Sequence, residues 1–152
     1  MKNAENTMEE ITLHNADRDH ANAVYNLICE LEGETFHRDA FRAIYLVNLS
    51  NQRIRYRLAV KENRIIGFGS LHMQDLLHHC GRVGEIQELV VMPEFRNSGV
   101  GAILLKDLRA IADENGCVLL EVSCNRDRTD AQRFYEKNNL AKTHFKFTGI
   151  LE

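Results

Sequence analysis

The segment from Glu88 to Gly101 constrains the fold more than any other part of this chain. An apolar strand pattern ends at Pro93, the only proline, and a short polar loop then leads into a long amphipathic helix. The first turn of a helix has backbone N–H groups without partners and carries a partial positive charge. Glycines at such a helix start let the backbone approach a phosphate closely. The segment therefore predicts a strand–loop–helix unit that binds a pyrophosphate.

Arg96 begins the pattern Arg-x-x-Gly-x-Gly, whose glycines are Gly99 and Gly101. Its guanidinium adds a charge that does not titrate near neutral pH. The dinucleotide fingerprint has a different glycine spacing, and the nucleoside triphosphate loop requires Lys-Ser or Lys-Thr after its last glycine. An ordinary helix start that contains glycines remains the alternative. With its strand and proline, the segment resembles the acetyl-coenzyme A loop of the GNAT superfamily of N-acetyltransferases.

Length and charge limit the other classes of function. The 152 residues fit one domain over 1–152, and we expect residues 1–8 to be a flexible tail. The net charge of −3 argues against a nucleic-acid partner. No apolar run approaches the ~20 residues of a membrane span, and the N-terminus lacks the apolar core of a signal peptide. We therefore expect a cytoplasmic protein without a membrane partner.

Apolar periodicity predicts the order strand, two helices, three strands, helix, strand, helix, strand. The predicted strands are 10–14, 54–61, 65–73, 83–92, 118–122 and 144–148. Residues 74–81 are predicted to be a loop, and Thr129 is predicted to open a capping box at the start of the last helix. Alternation in the second strand predicts one wet face, which carries Arg55 and Arg57.

This order resembles the GNAT fold over nearly the whole chain. The resemblance implies an α/β (α+β) fold with a mixed six- to seven-stranded sheet flanked by four helices. Further stretches resemble the aminoalkylphosphonate N-acetyltransferase branch, namely 24–31, 71–74 with 77–79, 84–93 and 130–135. The branch implies acetyl transfer from acetyl-CoA to the primary amine of a small aminoalkylphosphonate. Asn97-Ser98 and Asn138-Asn139-Leu140 depart from the commoner family residues at their positions.

The resemblance also implies a set of cofactor contacts. The backbone of the strand before the loop should pair with the pantetheine arm as an added strand does. The loop and the helix start should bind the pyrophosphate. The implied contacts are Leu89, Val90, Val91, Arg96, Asn97, Ser98, Gly99, Val100, Gly101 and Asn125. For Asn125, a turn residue that satisfies its own backbone is an equal alternative.

Acetyl transfer to an alkyl ammonium requires a base, because the amine has a pKa near ~10 and attacks only after losing a proton. Glu85 and Glu88 are the carboxylates of an otherwise apolar strand, and the resemblance favours Glu85. Strand alternation places them on opposite faces unless a bulge intervenes. Tyr135 resembles the tyrosine that the family places beside the sulfur as an acid, although its spacing from Ala131 and Phe134 also fits core packing.

A phosphonate substrate requires cations, and Arg42, Arg55 and Arg57 are the candidates, with Glu88 as a further substrate contact. A solvated charged face is the alternative for each arginine. His78 and His79 are candidates for a divalent metal, with which the branch is associated, but adjacent histidines lack a specific ligand spacing. Another small amine and a non-catalytic coenzyme A-binding regulator remain alternative functions. A homodimer is an expectation from the superfamily.

Overall fold

The computed structural model describes residues 10–152, which form one mixed sheet with helices against both faces. The predicted tail at residues 1–8 lies outside the described residues. The strands are β1 (Ile11–Asn15), β2 (Ile54–Lys61), β3 (Arg64–Leu76), β4 (Gly81–Val91) and β5 (Cys117–Val122). The α-helices are α1 (Ala21–Glu32), α2 (Arg38–Leu49), α3 (Val100–Glu114) and α4 (Thr129–Lys137). None of these helices has both the length and the apolar character that a membrane crossing requires.

The strands lie in the order β1-β2-β3-β4-β5. The first three pairs are antiparallel, whereas β4 and β5 are parallel and α3 connects them. A parallel pair needs such a crossover, which explains why the long helix follows the polar loop. The mixed sheet and the four α-helices are confirmed, but the described residues form five strands rather than six or seven.

The predicted strand at 144–148 is wrong for this structure. Phe145 and Phe147 alternate with polar residues, as in a strand, yet they are 89% and 93% exposed. Backbone hydrogen bonds stabilise a strand only where a neighbour supplies partners, and the segment forms no ladder with the five described strands.

The two faces of the sheet have separate cores. Leu58, Phe68 and Val90 pack against α1 and α2, together with a run of ring contacts from Tyr45 to Tyr56 (5.4 Å between centroids) and on to Phe68 (5.3 Å). Leu71 and Ile86 pack against α3 on the opposite face. The first face, which does not contact α3, carries the polar residues described below.

Helix α3 covers the face of β2 that alternation predicted to be wet. Arg57 donates two hydrogen bonds to Asp107 of α3, at 2.6 and 3.2 Å. Both side chains are less than one fifth exposed. The prediction was wrong because alternation separates two faces without revealing whether a helix covers the charged one. The pair instead joins β2 to α3.

Half of the predicted loop at 74–81 is strand. β3 continues to Leu76 and β4 begins at Gly81, so only a short turn separates them. Asp75 accepts hydrogen bonds from Arg53 and Arg82, which together hold the pKa of its carboxyl down at about 2. Cross-strand ion pairs thus explain the polar composition that resembled a loop.

The predicted capping box is also wrong, because α4 begins after Arg128 without a side-chain cap.

Candidate functional site

β4 carries a bulge at Gln87. Ser70 of β3 pairs with Glu88, whereas the next residue, Leu71, pairs with Ile86, so Gln87 has no partner in β3. Such an extra residue bends a strand and increases its twist. The pairing of β4 with β5 ends immediately before the bulge, at Ile86 and Val122. β4 continues to Val91 without pairing to β5, which leaves an opening between the two strands.

The bulge places both candidate carboxylates on one face. Glu85 pairs with His72 and Glu88 pairs with Ser70. Paired residues in a ladder share a face, as do residues two apart on a strand. Glu85 and Glu88 therefore both lie on the face opposite α3. Simple alternation predicted opposite faces, and it fails because Gln87 shifts the pattern by one residue.

Ser70 anchors Glu88. Its side chain is completely buried, its hydroxyl donates to the Glu88 carboxylate, and the Glu88 N–H donates back to the hydroxyl at 3.0 Å. Burial raises the pKa of nearby Tyr56, and the negative charge of Glu88 raises it further. The hydrogen bond that Asn48 donates to the Tyr56 hydroxyl lowers this pKa and partly offsets the shift. Sequence reasoning missed Ser70, although a lone hydroxyl within an apolar strand is a usable signal.

Glu85 lies in the next row across the sheet. Its neighbours in register are His72 of β3 and Glu121 of β5. The Glu85 side chain is half-buried and makes no hydrogen bond or ion pair with any residue between 10 and 152. Of the two carboxylates, Glu85 thus has its acceptor positions free, whereas Glu88 is held by Ser70.

The loop after β4 ends at an uncapped helix start. Asn97 and Gly99 adopt left-handed backbone conformations, with φ of 60° and 88°. No side chain caps the first turn of α3, and that turn contains no acidic residue. A helix start of this kind offers its N–H groups and its partial positive charge to an anion. The loop residues 96–99 are exposed, so a ligand can reach them.

Arg96 and Gly101 make contacts within the protein. The Arg96 Nε donates to the Val91 carbonyl at 3.1 Å, and its Nη2 lies 3.5 Å from the Glu30 carboxylate. A Cβ on Gly101 would lie 3.3 Å from the Phe134 ring, so Gly101 permits close packing of α3 on α4. The Ser98 hydroxyl donates to the Phe95 carbonyl within the loop. Side chains of the loop therefore bond to carbonyl groups and to a carboxylate, and none of them caps the N–H groups at the start of α3.

The last turn of α1 lies beside both margins of the opening. Glu30 contacts Arg96 of the first loop, while the Leu31 carbonyl accepts from Arg128 Nη2 of the β5–α4 loop at 2.6 Å. In that second loop, the Asn125 side-chain oxygen accepts from the Asp127 N–H at 2.9 Å, which is turn geometry. Sequence reasoning missed Arg128, because its contact with α1 spans 97 residues of sequence.

Tyr135 of α4 packs against the same core cluster as Ile86 and Val122, the last paired residues of β4 and β5. Its hydroxyl has no hydrogen-bond partner among residues 10–152. Burial raises the pKa of Tyr135 to about 12; the neighbouring Cys124 adds to the shift and Arg128 opposes it. The phenol is therefore neutral at physiological pH and retains a proton to donate.

Two of the three candidate phosphonate-binding arginines lie on the other face of the sheet from the candidate carboxylates. Arg55 and Arg57 pair with Leu71 and Gly69, which face α3, so both arginines lie on the face opposite Glu85 and Glu88. Arg57 is committed to Asp107, and Arg55 donates to the Gln52 and Ile54 carbonyls. Arg42 is exposed on α2 and lines a cleft of about 180 Å³ together with Arg38.

The residues around His78 and His79 do not fit a metal centre. Both histidines lie in the turn between β3 and β4, with ring centroids 4.3 Å apart. His79 lies 3.7 Å from one carboxylate, that of Glu121. Within residues 10–152, no group of three or more His, Cys, Asp or Glu side chains is arranged to hold a metal ion. A protein metal site normally has at least three such ligands.

The strand opening and the uncapped helix start that follows it could hold a ligand with an extended chain and an anionic group. A family model described as the acetyltransferase (GNAT) family matches residues 21–139. The chain belongs to this family. The matched residues include the bulged strand, the loop, α3, β5 and α4. GNAT acetyltransferases use acetyl-CoA.

One relative matches nearly the full length. The aminoalkylphosphonate N-acetyltransferase of Salmonella typhimurium is 40% identical over 151 residues, covering 99% of this chain and 98% of that protein. Among solved structures, a transcriptional regulator from Bacillus halodurans superposes with a TM-score of 0.85 at 17% identity, over 93% of this chain and 99% of that one. An aminoglycoside N-acetyltransferase in complex with CoA superposes with a TM-score of 0.83 at 18% identity, over 93% and 94%. These two likenesses show the fold.

Gly99→Ala should weaken coenzyme A binding more than it weakens the fold. Both Gly99 and Gly116 have positive φ (88° and 75°), flank α3 and have open space where a Cβ would lie. Alanine at either position costs about 1 kcal/mol of backbone strain. If the backbone rotates to relieve that strain, the N–H groups at the start of α3 move only in the Gly99 variant, and an anion bound there would lose hydrogen bonds. Calorimetric titration should show at least roughly tenfold weaker binding for Gly99→Ala, which corresponds to about 1.4 kcal/mol.

Gly116→Ala is the matched control, at the opposite end of the same helix. It should lose comparable stability in urea unfolding and bind coenzyme A with unchanged affinity. Equal affinities for the two variants would contradict a pyrophosphate site at the start of α3.

Proposed function

We propose that this GNAT acetyltransferase transfers an acetyl group from acetyl-CoA to the primary amine of a small aminoalkylphosphonate. The observation that carries the proposal is the 40% identity to the Salmonella enzyme across essentially all of both chains. The matched length includes the elements that would bind the acceptor amine as well as the loop that would bind the cofactor. Both candidate carboxylates and Tyr135 lie on elements within the matched length.

The unpaired edge of β4 is proposed to bind the pantetheine arm. Backbone groups from Glu88 to Val91 offer hydrogen bonds toward the side that β5 has left, as a sheet edge does for an added strand. The exposed loop 96–99 and the first turn of α3 would hold the pyrophosphate. Acetyl-CoA supplies an activated thioester, and holding both reactants in place lowers the barrier without a covalent protein intermediate.

Glu85 is the proposed general base, and Glu88 is the alternative. Both lie on the face opposite α3, but the Glu88 carboxylate already accepts a hydrogen bond from buried Ser70. A free carboxylate can accept the amine proton directly or through one water. Glu88 is better suited to orient the substrate ammonium, because Ser70 fixes its position.

Tyr135 is proposed to donate a hydrogen bond to the leaving sulfur. Its pKa of about 12 is above the ~8.5 of an ordinary thiol. Complete proton transfer from Tyr135 to the thiolate is therefore uphill, whereas a hydrogen bond to the developing negative charge stabilises the transition state. The desolvated position that raises the pKa also strengthens that hydrogen bond.

Arg42 is the proposed cation for the phosphonate. Arg55 and Arg57 lie on the α3 face and already donate hydrogen bonds within the protein. Arg42 lies on α2 and makes no hydrogen bond to another residue between 10 and 152. Arg38 lines the same cleft, with its guanidinium 4.3 Å from the Tyr25 ring centre. Two guanidinium groups suit an anion with three oxygens.

A panel of amines tests the reaction and the substrate separately. Release of free thiol from acetyl-CoA should be fastest with aminomethylphosphonate or aminoethylphosphonate and slow with polyamines, amino acids and aminoglycosides. Ethylamine serves as the matched control, because it retains the amine and lacks the anion. Turnover of other amines in preference to phosphonates would contradict the substrate assignment, and turnover of none would contradict the enzyme itself.

Glu85→Gln should slow acetyl transfer by roughly 10²–10⁴-fold near neutral pH, because the amide cannot accept a proton. Raising the pH toward the pKa of the amine should recover part of the rate, since more amine is then already deprotonated. Glu88→Gln should raise KM more than it lowers kcat. A larger loss of kcat in Glu88→Gln than in Glu85→Gln would reverse the two roles.

Tyr135→Phe should lower kcat by roughly 10²–10³-fold, the cost of removing one transition-state hydrogen-bond donor, and leave coenzyme A affinity nearly unchanged. In the parent enzyme, ionisation of Tyr135 should not reduce the rate below about pH 11, because its raised pKa of about 12 keeps the proton on the phenol. An unchanged kcat in the phenylalanine variant would remove Tyr135 from the mechanism.

A further inference from the structure

The two candidate carboxylates share one face of β4 but have different neighbours. Glu88 ends a row that crosses three strands, in which Tyr56 pairs with Ser70 and Ser70 pairs with Glu88. Glu85 lies in the next row, beside His72. Glu85 makes no hydrogen bond or ion pair with any residue between 10 and 152, whereas Glu88 contacts the buried Ser70 hydroxyl. A single hydroxyl therefore distinguishes the two carboxylates.

The Ser70 hydroxyl contacts Glu88 at two places. It accepts a hydrogen bond from the Glu88 N–H at 3.0 Å and donates one to Oε2 of the Glu88 carboxylate. A hydroxyl has one proton, so the carboxylate receives the only hydrogen bond that Ser70 can donate from its side chain. The two bonds connect the backbone and the far end of the same side chain. They therefore restrict a glutamate that would otherwise sample several rotamers.

The hydroxyl itself has a fixed position, because its surroundings are packed. Ser70 is completely buried. Its neighbour in β2, Tyr56, stacks on Tyr45 with 5.4 Å between ring centroids and accepts a hydrogen bond from Asn48 at 2.7 Å. A buried hydroxyl needs hydrogen-bond partners, and Glu88 supplies one to accept from and one to donate to. The fold thus sets the position of the Glu88 carboxylate before a substrate binds.

We propose that Ser70 is a positioning residue that gives the two carboxylates different roles. Its hydroxyl holds Glu88 through Oε2, which leaves Oε1 as a fixed contact for the substrate ammonium and keeps Glu88 from acting as the base. Proton removal is thereby left to Glu85. The proposal rests on the proposed acetyl transfer to a primary amine, and Ser70 itself does not touch the substrate.

The reaction requires only one such base. The ammonium loses a proton to the base, and the freed lone pair forms the C–N bond. The electrons of the C–S bond leave with the sulfur of coenzyme A, which takes up the second proton that the nitrogen loses. One carboxylate can therefore bind the ammonium while the other accepts the first proton.

Steady-state kinetics with aminoethylphosphonate and saturating acetyl-CoA test the role of the hydroxyl. Ser70→Ala should raise KM by roughly tenfold and change kcat by less than about threefold, because Glu88 loses its fixed position while Glu85 remains. Ser70→Thr is the matched variant that keeps a hydroxyl, and its KM should stay within about threefold of the parent value. Equal KM values for Ser70→Ala and the parent would overturn the proposal.

Removing the hydroxyl together with the base separates positioning from a structural role. Ser70→Ala/Glu85→Gln should turn over at least roughly tenfold faster than Glu85→Gln, because the released Glu88 can then accept the amine proton. Adding Glu88→Gln should abolish this gain. If Ser70 only stabilised the fold, its removal would lower the rate further. A double variant no faster than Glu85→Gln would therefore overturn the proposal.

A third comparison needs no substitution at Ser70 and so does not depend on the folding of the alanine variant. With the hydroxyl present, Glu85→Gln/Glu88→Gln should have a kcat within about threefold of that of Glu85→Gln, because the held carboxylate takes no part in proton removal. A further loss of roughly tenfold or more would overturn the proposal. A parent that acetylates no amine would contradict the proposed function, whereas an active parent whose variants fail these comparisons would contradict the role of Ser70 alone.

Discussion

The candidate site depends on one feature of the backbone, the bulge at Gln87. Before it, β4 is a fully paired interior strand between β3 and β5. After it, β4 keeps its pairing with β3 and loses that with β5, so a strand edge opens in the middle of the domain. The same extra residue brings Glu85 and Glu88 onto one face. A sheet edge of this kind can bind an extended ligand through backbone hydrogen bonds, and a carboxylate beside it can accept a proton.

Helices α1 and α2 are held mainly by apolar packing rather than by their surface ion pairs. The bodies of α1 and α2 are held by buried apolar contacts, including the ring contact between Tyr45 and Tyr56. The last turn of α1 contacts the neighbouring loops through arginine–glutamate pairs that are 41–48% exposed. Exposed pairs of this kind contribute roughly 0.2–1 kcal/mol each. These pairs therefore add little to the stability of the helix end, which is held by the packing of Ile28 and Leu31 against the core and by the hydrogen bond from Arg128 to the Leu31 carbonyl.

Sequence reasoning recovered the features that local chemistry determines. The strand, Pro93, the loop and α3 follow from short-range preferences, and the structure places them as the sequence predicts. The relative faces of Glu85 and Glu88 were not accessible, because an apolar run does not reveal which of its residues bulges. The ion pair of Arg57 with Asp107 joins residues 50 positions apart, so the sequence pattern alone shows only charges that appear solvated.

The predicted strand at 144–148 illustrates the opposite error. The alternation of Phe145 and Phe147 is a genuine strand pattern, but a strand forms only when it pairs with a neighbouring edge, and residues 144–148 pair with none of the five described strands. Likewise, the histidines at 78 and 79 are metal ligands by type, yet among residues 10–152 only one carboxylate, that of Glu121, lies within 4 Å of them. In both places residue type was informative, and the position of the partner decided the outcome.

Hydrogen exchange with and without saturating acetyl-CoA tests the central claim most directly. If the opening beyond the bulge binds the cofactor, amides in the segments 88–92 and 99–103 should gain protection, while those of β2 should not change. Protection of the 99–103 segment alone would support the pyrophosphate site at the start of α3. It would contradict the pairing of the pantetheine arm with β4. Cofactor binding seen by calorimetry with no change in either segment would contradict the account as a whole.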